Sequence, residues 1–431
     1  MFSSTIRFIS KGWVKDLYVL PKYYFTYYGF DWVKPFSENS MYLLFGLLLI
    51  CSIFIALGLF YRLSTSVFFI VFTYIELIDK TNYLNHYYFI SLISLLLIFL
   101  PANKYFSLDT YFRFTKRQEK IPAWNINIIK FQLGVVYFFA GIAKLNYYWL
   151  IEAQPLANWL KHQTDLPLIG NFMQYTETAY LFSWGGALFD LFIPFILLSK
   201  KIRIYGYILV VLFHGLTSAM FPIGVFPFVM IISTLIFFSD KFHEKIIRFL
   251  KKIFRKNHRK KNLKETKEKF TLNKLSYFFL IAFISFQLLM PFRYLLYKGN
   301  LFWTEQGFRF SWRVMLIEKV GYAQFYVHEP KSGRKKLINT NNFLTGQQEK
   351  MMATQPDMIL QFAHHLRDHY SDTTIIERNG EKIYLNKPKI TAEVHVGLFN
   401  KGSKLFIDPN VNLSAIKRGY HPKSWILEYE K

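Results

Sequence analysis

Residues 137–149 read Tyr-Phe-Phe-Ala-Gly-Ile-Ala-Lys-Leu-Asn-Tyr-Tyr-Trp, and they end an apolar run that begins near Ile126. Lys144 lies in this stretch with small residues one turn away, which let other helices approach closely. An ammonium at membrane depth costs roughly 2.5–3.5 kcal/mol on insertion scales, so an ionisable side chain held there is a candidate functional group. A lysine near the end of a membrane helix can also snorkel to the interface without any function. The stretch alone leaves both interpretations open.

The composition indicates a membrane protein. The chain has 431 residues, of which 52% are hydrophobic and 20% aromatic, and several apolar runs approach the ~20 residues that cross a bilayer. The formal charge of +25 would suggest nucleic acid as a partner in a soluble protein. Much of the excess lies in one block between apolar runs, so the positive-inside rule explains it better and no nucleic-acid partner is expected. Cys51 is the only cysteine, so the chain cannot form an intrachain disulfide or a cysteine-based zinc or iron–sulfur site.

The chain divides into three parts by composition. Residues 1–40 are aromatic and basic, which is typical of an amphipathic segment at the membrane surface. Residues 41–296 form a transmembrane domain with a basic cytoplasmic loop at 240–273, and residues 297–431 form a β-rich extracytoplasmic domain. About eight spans are predicted, at 41–61, 66–79, 86–100, 126–146, 178–198, 203–220, 221–239 and 274–296.

Loop charge predicts the orientation. Residues 241–269 hold thirteen Lys or Arg against three Glu, which makes this loop cytoplasmic. With eight spans, the basic residues of the 104–130 loop, the Lys200–Arg203 cluster and Arg62 fall on the same side. The tail from 297 onwards then lies outside the cytoplasm, in the periplasm if the cell is bacterial.

The same topology places three titratable side chains near the outer leaflet. His86 opens the third span, Lys144 closes the fourth, and His214 lies about two-thirds of the way outward along the sixth. A single histidine on an apolar helix is more often a hydrogen-bonded core residue than a catalyst. Three ionisable groups at one depth favour a functional site.

The tail changes character after about residue 297. Short strands are predicted at Gly321–Val327, Lys336–Asn339, Thr373–Glu377, Ile390–Phe399 and Lys404–Ile407, with one amphipathic helix at about 356–370. These elements predict a small α+β or β-sandwich domain.

Other polar residues are interpreted as structural. His365 and His369 are four apart on the predicted helix, as metal ligands can be, but no third ligand is evident, so we predict that they and His364 are surface residues and that there is no metal site. Asp190, within the fifth span, is interpreted as a hydrogen-bond partner that faces the bundle.

Several motifs together resemble one family. The chain resembles the vitamin K-dependent γ-glutamyl carboxylases, whose membrane domain is called HTTM. The similar segments occur in the family's order and cover nearly the whole chain from about residue 40. The main ones are Asp79-Lys-Thr-Asn-Tyr-Leu-Asn-His-Tyr-Tyr, Tyr137-Phe-Phe-Ala-Gly-Ile-Ala-Lys-Leu, Phe213-His-Gly-Leu-Thr-Ser-Ala-Met-Phe-Pro-Ile-Gly and Trp303-Thr-Glu-Gln-Gly-Phe-Arg-Phe-Ser-Trp-Arg-Val-Met.

The resemblance implies a reaction and its co-substrates. In the family, a vitamin K hydroquinone anion reacts with O2, and the resulting alkoxide removes a γ-proton from glutamate. The carbanion then takes up CO2, and the quinone leaves as the epoxide. The implied cofactor is reduced vitamin K, as phylloquinone or menaquinone hydroquinone, with O2 and CO2 as co-substrates and no metal. The implied partners are the lipid bilayer, the quinol and a glutamate-containing protein or peptide.

The resemblance also implies roles for individual residues. Lys144 would be the base that deprotonates the hydroquinone, which requires the free amine. His86 would assist at the carbanion and CO2 stage. The quinol-binding side would comprise Asn85, His214 and Tyr83, the last of which replaces a motif tryptophan. Trp303 and Trp312, in the segment that would close the chamber, would lie on the substrate side.

The chain departs from the family pattern in places. The resemblance places residue 1 just after the family's first span, and Ala143 stands where the animal enzyme has a lysine before the catalytic one. The chain ends soon after Trp425, whereas the animal enzyme continues with a long lumenal region. We therefore expect much of a propeptide-recognition platform to be absent.

Three function classes remain open at this stage. The first is a membrane carboxylase that uses reduced vitamin K, O2 and CO2 on glutamate. The second is a quinol oxidoreductase, with menaquinol the natural bacterial substrate, that does not carboxylate. The third is a non-enzymatic membrane protein that binds a quinone or lipid, which the combination of Lys144, His86 and His214 argues against. The predicted location is the bacterial inner membrane, with the C-terminal domain in the periplasm.

Overall fold

A bundle of apolar helices precedes a small sheet-containing domain. The computed structural model describes residues 1–253, 274–329, 334–376 and 382–429. Most of the predicted basic loop, residues 254–273, lies outside the described residues.

The N-terminal segment forms two short helices against the bundle. These are α1 (Phe2–Ser10) and α2 (Trp13–Tyr18). The Phe8 ring stacks on Phe45 of the first long helix, with ring centroids 5.7 Å apart. The N-terminal helices therefore pack against the helical bundle, and the location of this segment at the membrane surface stays a prediction.

The membrane region contains long apolar helices joined by short ones. In chain order they are α3 (Glu38–Leu57), α4 (Tyr61–Ile78), α5 (Asn85–Phe99), α6 (Leu108–Tyr111), α7 (Trp124–Lys144), α8 (Tyr147–Leu150), α9 (Leu156–Trp159), α10 (Thr176–Leu198), α11 (Arg203–Met220), α12 (Phe226–Thr234), α13 (Asp240–Ile253) and α14 (Lys274–Leu289). The short helix α15 (Leu301–Thr304) follows them at the start of the C-terminal domain.

Each predicted span coincides with one of these helices, although not all are long enough to cross a bilayer. Within the described residues, six helices are long and apolar enough, and a seventh is counted if the bent pair α12–α13 forms one span. One of the shorter predicted spans, α5, has 15 residues and does not meet the length for crossing a bilayer. The predicted eight is therefore an approximate count. The helix α13 is bent by 114° from the end of the preceding apolar helix, and it carries the start of the basic block.

The C-terminal domain is an α+β domain rather than a sandwich. Its strands are β1 (Lys319–His328), β2 (Lys335–Ile338), β3 (Thr373–Ile376), β4 (Lys382–Leu385), β5 (Lys389–Leu398) and β6 (Lys404–Leu405). An antiparallel sheet has the order β2-β1-β5-β6, and β3 pairs with β4 separately. Its helices are α16 (Gly346–Met352) and α17 (Pro356–Tyr370).

One face of the large sheet is covered by α17. The Phe362 ring packs edge-on against Phe325 of β1, with centroids 5.0 Å apart. The predicted helix at 356–370 matches α17, whereas β4 and α16 were not predicted. Both are short, with four residues in β4 and seven in α16, so each offers little sequence pattern to detect.

The two parts of the protein share a core. The Tyr148 ring of α8 lies 4.8 Å from Phe399, which follows β5. The Gln348 side chain of α16 donates a 2.7 Å hydrogen bond to Asp79, which follows α4. The C-terminal domain is therefore packed onto the ends of α4 and α7, where the predicted site residues lie.

The loop between α5 and α7 is attached to the start of α4 by one carboxylate. Asp109 is 4% exposed and accepts hydrogen bonds from the backbone N–H groups of Phe60 and Tyr61 at 2.7 and 3.1 Å. The side chain of Asn103 donates a third hydrogen bond to it, at 2.7 Å.

We predict that Asp109→Ala destabilises the protein by about 1–3 kcal/mol, because buried donors lose their acceptor. The measurement is the thermal unfolding midpoint in detergent. Asp165→Ala, which removes an exposed carboxylate, is the control and should leave the midpoint unchanged. Equal midpoints for the two variants would contradict the role of Asp109.

Candidate functional site

Lys144 forms a buried pair with Asp190. The Lys144 Nζ atom lies 2.6 Å from Asp190 Oδ2, and the two side chains are 7% and 8% exposed. A weaker hydrogen bond of 3.4 Å joins Nζ to the Ala140 carbonyl one turn earlier. The lysine therefore does not snorkel to the membrane surface, and its immediate partner is the carboxylate predicted to face the bundle.

A glycine permits the close approach of the two helices that carry this pair. A Cβ atom added to Gly141 of α7 would lie 2.6 Å from the Leu191 backbone nitrogen of α10 and 3.1 Å from the carbonyl carbon of Asp190. No side chain fits at that distance. The small residue therefore allows the backbones to touch, which brings Asp190 within hydrogen-bond reach of Lys144.

A second polar pair lies on the same face of α7. Tyr137 precedes Lys144 by two helical turns, so their side chains project in similar directions. The Tyr137 hydroxyl lies 3.0 Å from His214 Nε2, and both residues are buried. The other ring nitrogen of His214, Nδ1, is buried without a hydrogen-bond partner in the described part of the chain.

Aromatic rings connect this pair to His86. The Phe226 ring of α12 lies 5.7 Å from the His86 ring and 5.9 Å from the His214 ring. Phe189, the neighbour of Asp190, has its ring 6.0 Å from Tyr137 and 6.3 Å from His214. The structure thus brings His86 and His214 to one aromatic wall.

The predicted residues Asn85 and Tyr83 contact the segment that follows the last span. The Tyr83 hydroxyl donates to Asn85 Oδ1 at 3.0 Å and accepts from the Phe310 backbone N–H at 2.8 Å. Asn85 Nδ2 donates to the Arg313 carbonyl at 3.1 Å. The start of α5 is therefore bonded to the segment Trp303–Met315.

The two predicted tryptophans have different surroundings. Trp312 stacks on Tyr88 of α5 with ring centroids 4.9 Å apart, and its Nε1 atom is buried without a hydrogen-bond partner in the described residues. Trp303 donates from Nε1 to the Leu427 carbonyl at 2.8 Å and packs against Phe406. Trp312 therefore lies beside α5, whereas Trp303 belongs to the core of the C-terminal domain.

An ion cluster joins the membrane region to the C-terminal domain near these residues. Asp357 Oδ2 accepts from Lys80 Nζ and from Arg309 Nη1, both at 2.8 Å. Burial lowers the pKa of Lys80 to about 8, although the Asp357 carboxylate opposes this change. Arg309 and Lys80 together hold the pKa of Asp357 well below its usual range, against the opposing effect of burial.

A cavity of about 240 Å³ adjoins this cluster. Among its charged lining residues, five are cationic and two are acidic: Lys80, Arg293, Arg309, Arg418 and Lys423, against Glu305 and Asp357. Phe310 also lines the cavity, and its ring lies 4.9 Å from the Tyr83 ring. The cavity is thus an anion-attracting space next to the start of α5.

The sequence analysis missed this cavity and the partner of Lys144. The cations of the cavity come from three separate parts of the chain, around residues 80, 293–309 and 418–423, so no local pattern unites them. Asp190 was noted, but its pairing depends on the contact between α7 and α10. A detectable signal was that Lys144 and Asp190 are both ionisable groups within apolar spans.

The three histidines of α17 have packing contacts rather than a shared ligand. His364 donates to the Ile416 carbonyl at 2.7 Å, His365 lies 4.3 Å from the Tyr23 ring, and His369 lies against Phe343. Within the residues that the structure describes, no three or more His, Cys, Asp or Glu side chains are grouped as metal ligands would be.

Comparison with family models identifies the chain. The model of the HTTM domain matches residues 1–242, and that of the vitamin K-dependent gamma-carboxylase lumenal domain matches residues 272–431. The chain belongs to the vitamin K-dependent gamma-carboxylase family. It is therefore a carboxylase-like integral membrane protein, and the lumenal-domain match agrees with the predicted exposure of the C-terminal part outside the cytoplasm. No solved structure matches the chain significantly.

We predict that Gly141→Ala separates α7 from α10 and destabilises the protein by about 1–3 kcal/mol, as overpacking does. The thermal unfolding midpoint in detergent measures the effect. Gly134→Ala is the matched control, because its added Cβ would meet only Pro194 Cβ at 3.9 Å, an ordinary contact. A midpoint for Gly141→Ala as high as that of Gly134→Ala would contradict the proposed helix contact.

Proposed function

We propose that this protein couples the oxidation of a vitamin K hydroquinone by O2, which yields the epoxide, to the carboxylation of glutamate. The observation that carries the proposal is the buried Lys144–Asp190 pair beside Tyr137 and His214. Such a pair is expensive to bury, since each charge loses its hydration. Its position inside the membrane domain of a carboxylase-family chain favours a chemical role.

Asp190 offers a way to keep the lysine amine free. The pair can hold its protons in two arrangements, an ammonium beside a carboxylate or a neutral amine beside a carboxylic acid. Both arrangements contain the same number of protons. Poor solvation penalises the charged arrangement. We propose that Asp190 accepts the proton of Lys144, so that the amine can take a proton from the hydroquinone hydroxyl.

The residues around this pair fit a hydroquinone. The rings of Phe226 and Phe189 provide an aromatic wall, and His214 Nδ1 and Trp312 Nε1 are buried polar atoms that need partners. Asn85 and Tyr83 would orient a quinol oxygen. When bound, the hydroquinone and O2 supply the strong base that removes the glutamate γ-proton. The apolar walls exclude water that would quench a strong base.

The cationic cavity is proposed as the entrance for the acidic substrate. Its excess of positive side chains attracts a carboxylate, and Arg309 provides a planar, always-charged donor. The contact between Phe310 and Tyr83 connects the cavity to Asn85, which precedes His86 in the sequence.

The proposed substrate is a glutamate-containing protein or peptide, and the proposed location is the bacterial inner membrane with a periplasmic C-terminal domain.

To test the proposed reaction, epoxide formation and the incorporation of labelled CO2 are measured separately on purified protein. Formation of epoxide without fixed CO2 would reduce the proposal to a quinol oxidoreductase that does not carboxylate. The absence of both products would overturn the proposal.

We predict that Lys144→Ala lowers epoxide formation by at least about 100-fold, the lower range for general base catalysis. Lys130→Ala, on the same helix about 14 residues earlier, should retain activity. The double variant Lys144→Ala with Asp190→Asn leaves no unpaired carboxylate, so it should fold and remain inactive. Full epoxide formation by Lys144→Ala in neutral buffer without added amines would remove the lysine from its role.

We predict that Lys423→Gln raises the KM for a glutamate peptide about tenfold, which corresponds to roughly 1.4 kcal/mol of lost charge interaction. Lys417→Gln removes an exposed charge that does not line the cavity and is the matched control. Peptide carboxylation kinetics at fixed hydroquinone measure the effect. Equal KM values for both variants would exclude the cavity as the carboxylate site.

A further inference from the structure

A second cavity lies at the end of the bundle that faces away from the C-terminal domain. It has a volume of about 330 Å³ and adjoins the first residues of α4. With 18 residues, α4 is about 27 Å long, and the C-terminal domain contacts its other end, where Gln348 is bonded to Asp79. Since the lumenal-domain match agrees with a C-terminal domain outside the cytoplasm, this second cavity is on the cytoplasmic side.

Two cationic side chains line the second cavity, and each is held by a hydrogen bond. Arg62 Nη1 donates to the Ile98 carbonyl at the end of α5, at 2.9 Å. Lys104 Nζ donates to Thr115 Oγ1 at 2.7 Å. In the part of the chain that the structure describes, neither cation forms a salt bridge. Both therefore keep N–H donors and a positive charge for a ligand.

One carboxylate oxygen joins the two segments that carry these cations. Asp109 Oδ2 accepts from the backbone N–H of Tyr61, the neighbour of Arg62, at 3.1 Å. The same atom accepts from Asn103 Nδ2, next to Lys104, at 2.7 Å. Asp109 also lines the cavity, but these donors and the positive end of α4 already compensate its charge. The two cations are thus fixed at one built pocket rather than scattered over a surface.

Exposed aromatic rings form the rim of the second cavity. Phe60 and Phe114 both line it, and their rings stack with centroids 5.3 Å apart. The Phe112 ring lies 5.8 Å from that of Phe114. All three side chains are at least half exposed. Large apolar rings beside cations at the end of a membrane helix are typical of a surface that lies in the headgroup region.

We propose that the second cavity binds the phosphate of an anionic phospholipid from the cytoplasmic leaflet. Basic pockets between membrane helices on this side suit acidic headgroups, because that leaflet carries the anionic lipids. Arg62 and Lys104 supply charged donors to the phosphate, and the rings of Phe60 and Phe114 contact the apolar part of the lipid. The lipid would also brace the start of α4 against the loop between α5 and α7. This site does not depend on the proposed reaction.

The test uses the full chain in a non-ionic detergent and measures apparent Kd values. The probes are dioctanoyl-phosphatidylglycerol, dioctanoyl-phosphatidylcholine and inorganic phosphate. We expect the phosphatidylglycerol to bind at least about tenfold more tightly than either other probe. The double variant Arg62→Gln with Lys104→Gln should lose this preference. Lys116→Gln with Lys120→Gln is the matched control, because it removes two exposed cations of the same loop that do not line the cavity, and it should keep the preference.

Three results would overturn the proposal. Equal affinity for the two lipids would exclude recognition of an anionic headgroup. An equal loss of preference in both double variants would assign it to the general charge of the loop. Inorganic phosphate that binds as tightly as phosphatidylglycerol, with the same dependence on the cavity cations, would make free phosphate the ligand. Arg62→Gln alone changes an exposed side chain, so it tests the site even if the double variant does not fold; an unchanged preference in this variant would remove Arg62 from the site.

Discussion

The contact between α7 and α10 at Gly141 is the constraint on which the proposed site depends. It brings the backbones of two membrane helices together, so that a lysine and an aspartate meet where water is scarce. A hydrogen-bonded pair is the arrangement in which either charge can exist in such surroundings. The same face of α7 carries Tyr137, which contacts His214. One helix face therefore contributes a residue to each of the two polar pairs.

The C-terminal domain completes this arrangement from outside the bundle. The segment after the last span bonds to Tyr83 and Asn85, and it stacks Trp312 on Tyr88. An ion cluster around Asp357 fixes the domain against the end of α4. The domain therefore contributes to a cationic cavity next to the start of α5, and this cavity is the proposed entrance for an acidic substrate.

The resemblance in the sequence and the geometry of the structure contribute different knowledge. Short motifs drew attention to Lys144, His86 and His214, because each motif is a local pattern. They could not show that Lys144 is paired, since its partner lies 46 residues away on another helix. The structure thus shows a buried ion pair where the motif by itself shows a single lysine.

The sequence by itself determined the membrane class, the approximate spans and the side on which the tail lies, because hydrophobic length and loop charge are local properties. It also predicted α17 and five of the six strands that the described residues form. Only the tertiary structure decided which helix faces meet. Helices such as α3 are apolar on every side, so their sequence does not mark an inner face. The Lys144–Asp190 pair, the aromatic wall at Phe226 and the cationic cavity all arise from contacts between distant segments, for physical reasons that no single segment contains.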